Sequence, residues 1–146
     1  MKLTIKRKNK GFTLLEIIIV VIIVGVLASL ALPRLFSTVE FSRSTEAFAA
    51  IGAIRSSMER CVLKNGSGNY DTCNSMGSGG ELDVDPSVEA GTHFTYAVSA
   101  ATTTGYTITA SRNTLDGGAS GDTVRIVVNT SAGTITKSGG GAFSKL

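Results

Sequence analysis

The sequence predicts an α+β fold, in which one long N-terminal helix, apolar over its first half and amphipathic over its second, packs on a small antiparallel β-sheet. Three observations lead there. Residues 12–32 (FTLLEIIIVVIIVGVLASLAL) are apolar apart from one ionisable group, Glu16. Beyond them, apolar side chains recur at steps of three and four, the period of one helix face. After a stretch rich in Gly, Ser and Asn, the pattern changes to short β-branched and aromatic segments separated by turn residues.

Length and charge set the frame. A chain of 146 residues is one domain plus whatever targeting or anchoring segment it carries. Five of its 14 Lys and Arg (Lys2, Lys6, Arg7, Lys8, Lys10) fall in the first ten positions, and the remaining nine face 11 Asp and Glu. The basic pI therefore belongs to the N-terminal tail, where it reads as a signal that holds this end in the cytoplasm. A body without a cationic stripe argues against a specific nucleic-acid partner.

The apolar run, 21 residues long, spans roughly 31 Å as a helix, close to the roughly 30 Å hydrocarbon core of a bilayer. Each central Ile, Leu, Val or Phe favours insertion by about 0.3 to 0.6 kcal/mol, against about 2.5 to 3.5 kcal/mol for a central carboxylate. The run therefore enters lipid despite Glu16, which lies near its end, but a charge kept there calls for a partner. Two plainer readings stand beside this one. Ser29-Leu30-Ala31 is a small-residue site after which ordinary signal cleavage would leave a secreted domain beginning at Leu32, and without cleavage the run is a simple anchor. The length of the run and a Glu inside it weigh against the first.

Residues 10–16 (KGFTLLE), the apolar run interrupted by Gly25 and followed by Pro33, and the amphipathic continuation resemble the N-terminus of type IV pilins and of type II secretion pseudopilins. The resemblance covers roughly the first 60 residues. It implies the pilin fold. It also implies a class III signal, in which a membrane-embedded prepilin peptidase cuts between Gly11 and Phe12 and methylates the new amine of Phe12. Residues 1–11 are then a leader that is removed, and 12–32 the transmembrane and assembly helix. Gly11 suits a scissile bond because it lets the enzyme approach the backbone without a side chain in the way. Glu16, one turn beyond Phe12, pairs in this reading with the Phe12 amine of its own or a neighbouring copy, which removes part of the penalty for a carboxylate in lipid. Gly25 and Pro33 are weak points of the helix, and the resemblance makes the segment between them a candidate extensible region.

The helix is expected to continue through residues 33–64, with Phe48, Ile51, Ile54, Met58, Cys61 and Val62 on one face and Arg43, Glu46, Arg55, Glu59 and Arg60 among the polar positions. An αβ loop follows over 65–92. The sheet, residues 93–146, has strand signals at 93–98, 106–110, 123–129 and 133–137, and their close spacing favours an antiparallel meander. The last nine residues (SGGGAFSKL) read as a flexible or edge-packing tail.

Cys61 and Cys73 are the only cysteines. In an exported body an even pair reads as a disulfide, here joining the loop to the helix end. Glu81, Asp83, Asp85 and Glu89 form an acidic cluster before the sheet, which reads first as solvated surface and alternatively as a calcium site, as the resemblance to major pseudopilins, which bind calcium in a loop of their sheet region, implies. No cofactor is otherwise expected. The single His93 lies in a strand-like run, and no metal-ligand constellation, phosphate-cradling Gly motif or serine elbow accompanies it, so the chain is not expected to be an enzyme.

Function follows from the resemblance: a structural subunit of a type IV pilus-like filament, held in the inner membrane with its N-terminus cytoplasmic before assembly and in an extracellular pilus afterwards. Its partners would be membrane lipid, the prepilin peptidase, an inner-membrane assembly platform and copies of itself. The alternative is a pseudopilin forming a periplasmic pseudopilus for protein export. A monomeric anchored or secreted β domain is a further one.

Overall fold

The structure is a computed structural model that describes residues 11–66, 68–77, 79–88 and 91–146. The leader positions 1–10 and Glu89 lie outside the described residues. One helix, α1 (Leu14–Asn65), carries the first half of the chain and ends one residue beyond the expected point. Gly66 stops it by entering the left-handed region (φ 61°) while its N–H bonds to the carbonyl of Val62, a turn that a side chain would strain. By its contacts the chain divides after Phe36 into two units.

The first unit is helical from Leu14, and its side chains stand exposed. An 18-residue window of α1 has a mean hydropathy of 3.0, which makes it long and apolar enough to cross a membrane. The helix continues through both expected weak points, Gly25 and Pro33. A Cβ at Gly25 would meet nothing within 4 Å, so packing within this chain does not require glycine there.

The second unit, residues 37–146, contains the core. Four strands, β1 (Phe94–Thr102), β2 (Gly105–Arg112), β3 (Thr123–Asn129) and β4 (Thr134–Gly140), form one antiparallel sheet in the order β1-β2-β3-β4, the meander expected. Residues of α1 buried in this unit are Ser44, Ala47, Ile51, Ile54, Ser57, Met58 and Cys61. They join inward-facing sheet residues, among them Phe94, Tyr96, Ile108, Val124 and Ile126. The buried stripe is turned slightly from the one expected: Ala47 and Ser44 take the centre, while Phe48 and Val62 pack at its margin. A small residue at 47 lets the helix approach the sheet, and the larger Phe48 ring lies under the Lys137 ammonium, 5.1 Å from its centroid.

Strand lengths depart from expectation where the sequence loses its β-branched signal. β1 runs four residues past Val98 through Ser and Ala, crossing a register shift between Ser99 and Thr102 where Ala100 adopts a φ of 50°. β2 begins at Gly105 and extends to Arg112. Of the two readings of the closing segment, flexible or edge-packing, the second holds: it completes the edge strand β4 and packs onto the core. β4 takes in Gly139 and Gly140, and the short 3-10 turn Gly141–Phe143 buries the Phe143 ring against Phe94 at a centroid distance of 5.7 Å. The glycines here serve close approach: a Cβ on Gly139 would collide with the Phe143 carbonyl, and one on Gly141 with the Asp122 carboxylate.

The αβ loop is tied down at both ends. Cys61 and Cys73 form the expected disulfide, with Cα atoms 6.0 Å apart. Near β1, the Ser87 hydroxyl accepts from the Tyr96 amide at 3.0 Å. The disulfide spans 12 positions, so its removal frees the unfolded chain. A Cys61→Ser, Cys73→Ser double variant is expected to lose about 3 kcal/mol by loop-closure arithmetic, read as a lower denaturant midpoint for the full chain in micelles.

Candidate functional site

Among the described residues, polar chemistry concentrates at the start of α1 and at a charged node in the second unit, with a further cluster around Asp83. At the first, Gly11 and Phe12 precede the helix, with the Phe12 side chain 79% exposed. Thr13 and Glu16 then make reciprocal bonds: the Thr13 amide donates to Glu16 Oε2 at 3.4 Å, and the Glu16 amide donates to Thr13 Oγ1 at 3.2 Å. A Thr followed three residues later by Glu at a helix start is a capping box, which satisfies two amides that the helix leaves without intrahelical partners. The sequence reading gave Glu16 only an assembly role. In the structure the carboxylate also serves its own helix, where the positive end of the backbone dipole favours it. One amide uses a small part of the acceptor capacity of a carboxylate, so a second donor has room.

The second place centres on Arg112, whose side chain is fully buried. It lies at the inward parity of β2 after Tyr106, Ile108 and Ala110. Its Nε and Nη2 fork onto the two oxygens of Glu40 at 3.1 and 3.3 Å. Nη2 also donates to the Leu115 carbonyl at 2.9 Å, and Nη1 to the carbonyls of His93 and Asn113, each at 3.1 Å, and to Asn113 Oδ1 at 3.2 Å. A buried guanidinium is tolerable only when its charge is paired and its N–H groups are filled, and both conditions hold here. Arg43 extends the node, 3.4 Å from Glu40 and 3.5 Å from Asp116.

His93 lies just before β1 with both ring nitrogens on carboxylates: Nδ1 is 2.8 Å from Glu46 and Nε2 is 2.9 Å from Asp116. Its backbone amide also donates to Glu46, at 3.0 Å. The hydrogen bond to Asp116, then that to Glu46, raises its pKa above the ordinary imidazole value, against the opposing effect of burial. The sequence places His93 in a strand-like run without naming its partners, and Arg112 is not singled out there.

Of the calcium candidates, Asp83 is committed elsewhere. Arg60 grips its carboxylate at 2.8 and 3.1 Å, and the Ser57 hydroxyl donates to it while accepting from the Asp83 amide at 3.1 Å. The bond from Arg60, then that from Ser57, holds the Asp83 carboxyl down at about 2. Asp83 thus fastens the αβ loop to α1. Asp85 accepts from the Ser87 amide at 3.0 Å, and Glu81 is exposed. Among the described residues, no three His, Cys, Asp or Glu side chains are placed to hold a metal ion.

Comparison with known proteins bears on the start of α1. Residues 6–32 match the prokaryotic N-terminal methylation motif. The chain is 40% identical over 58 residues to the type IV major fimbrial protein FimA of Dichelobacter nodosus, covering 40% of this chain and 37% of that protein. It is 42% identical over 60 residues to the type II secretion system core protein G of Dickeya chrysanthemi, covering 41% and 39%. A longer alignment to another FimA of Dichelobacter nodosus has 30% identity over 103 residues, 64% of this chain and 66% of that protein. The first two alignments thus span about two-fifths of the relatives' length. With the methylation motif at its start and an apolar helix leading into a four-stranded antiparallel sheet, the chain belongs to the family of type IV pilins and type II secretion pseudopilins.

Proposed function

We propose that this protein is a structural subunit of a type IV pilus-like filament. Prepilin peptidase cuts between Gly11 and Phe12 and methylates the Phe12 amine. The subunit waits in the inner membrane with its N-terminus cytoplasmic, and an assembly platform joins it to copies of itself. The observation that carries this reading is the overlap of the methylation motif, residues 6–32, with an exposed apolar helix whose one ionisable group before Leu32 is Glu16. Such a surface needs lipid or other apolar helices around it, because its exposure to water is unfavourable by roughly 25 cal/mol per Å². A helix that leaves lipid to pack against its own kind in a head-to-tail contact builds an open helical filament.

A second reading has its own observation: the matches to type II secretion core protein G fall in the same identity range as those to the fimbrial proteins. In that case the filament is a periplasmic pseudopilus that serves protein export. Deleting the gene and restoring it on a plasmid separates the two. Loss and return of surface filaments identifies a pilin, loss and return of exoprotein release identifies a pseudopilin, and no change in either contradicts both. The role in each case is structural rather than catalytic.

A further inference from the structure

We propose that His93 is a pH-operated latch: as an imidazolium it ties the Asp116 carboxylate, in the turn between β2 and β3, to Glu46 on α1, and on losing its proton it releases that carboxylate. An imidazolium has two N–H donors, whereas neutral imidazole has one donor and one lone pair. Both ring nitrogens of His93 face carboxylates within 2.9 Å, Glu46 on α1 and Asp116 in the short 3-10 turn Leu115–Gly117. The charged ring satisfies both. The neutral ring satisfies one and turns a lone pair toward the other anion.

Which contact gives way follows from what else holds each carboxylate. Glu46 also accepts the His93 backbone amide, which does not titrate. Asp116 is 58% exposed, and its other charged contact is Arg43 at 3.5 Å. It also sits in the left-handed region, φ 53° and ψ 35°, where a residue with a Cβ is strained and needs surrounding contacts to stay. The remaining charges around the ring are Arg43 on α1, whose positive charge opposes protonation, Glu40 behind it, and Arg112 of β2, whose Nη1 holds the His93 carbonyl. Of these only Arg43 reaches Asp116, through an ion pair at 3.5 Å that is longer than the 2.9 Å contact of the imidazolium it would have to replace. The latch is therefore complete below the ordinary histidine value of about 6.5 and weakens as pH rises through the higher value His93 has in the folded protein. This device is independent of whether the filament is a pilus or a pseudopilus.

His93 is the only histidine, so one resonance reports the event. The experiment is an NMR pH titration of the full mature chain in detergent micelles, with isotopically labelled His and backbone amides. The expected result is a His93 midpoint above 6.5, with the Asp116 and Gly117 amides shifting at the same midpoint. In Asp116→Asn, which changes an exposed turn residue, the His93 midpoint is expected to fall. Turn amides that stay still while His93 titrates, or a His93 midpoint at or below 6.5, would overturn the latch. So would an unchanged midpoint in Asp116→Asn.

Discussion

Replacing Arg112 with Leu is expected to destabilise the protein by about 3 to 5 kcal/mol, the usual consequence of removing one member of a buried ion pair. The substitution leaves Glu40 without its fork and strips donors from three carbonyls, those of His93, Asn113 and Leu115, in a place where the guanidinium now excludes water. Leu fills part of the volume but answers none of those acceptors. Arg112→Lys is expected to recover only part of the loss, since an ammonium cannot reproduce a planar fork that reaches Glu40 and the turn together. Arg125, on β3 with its side chain exposed, is the control: Arg125→Leu should change stability by less than about 0.5 kcal/mol. Urea melts of the full chain in micelles read all three. An Arg112→Leu melt within error of wild type would mean that the buried node does not hold the turn and the helix together.

The second large effect is expected from Glu16→Ala, which should leave leader cleavage intact and reduce assembly. A charge-assisted hydrogen bond contributes about 1.5 to 3 kcal/mol, so each lost pairing with a Phe12 amine weakens subunit association roughly ten- to hundredfold. The capping box complicates this simple account, because Ala also removes the acceptor for the Thr13 amide at the start of α1. Glu16→Gln separates the two roles. Its side-chain oxygen still accepts from Thr13, but it brings no charge. If Gln assembles like Glu, the capping bond is what matters. If Gln assembles like Ala, the charge is, as the pairing account requires. Filament yield from sheared cells, or crosslinked multimers in the periplasmic case, measures this against the amount of processed subunit.

The sequence made the local and periodic features readable. An apolar run of bilayer length needs no tertiary context, and the steps of Ile51, Ile54, Met58 and Cys61 mark a helix face because the period is intrinsic to the backbone. β3 appeared at its observed bounds because TVRIVVN alternates and is β-branched. What stayed hidden depends on pairings distant in sequence. Arg112 is partnered by Glu40, 72 positions away, and a reading that ended β2 at Ala110 had no reason to place an arginine inside. Continuing the inward parity of Tyr106, Ile108 and Ala110 by one more step would have flagged it. The C-terminal glycines left a flexible and an edge-packing reading open for a related reason. Composition equates a Gly run with flexibility, whereas at Gly139 and Gly141 the missing side chain lets Phe143 and Asp122 come close. Asp83 read first as solvated surface because its partners, Ser57 and Arg60, lie on a helix more than twenty residues earlier.

At the first site the residues named from the sequence stand together at the head of the helix: Gly11 and Phe12 before it, and Glu16 in its first turn. Thr13 completes the capping box that the sequence reading did not use, although its spacing to Glu16 was visible. The account as a whole depends on what happens to the peptide bond between Gly11 and Phe12. The most direct test is the mature N-terminus, determined by mass spectrometry on protein taken from the native membrane or a sheared surface fraction. The account predicts a chain that begins with methylated Phe12. A chain that begins at Leu32, or one that retains Met1, would contradict it.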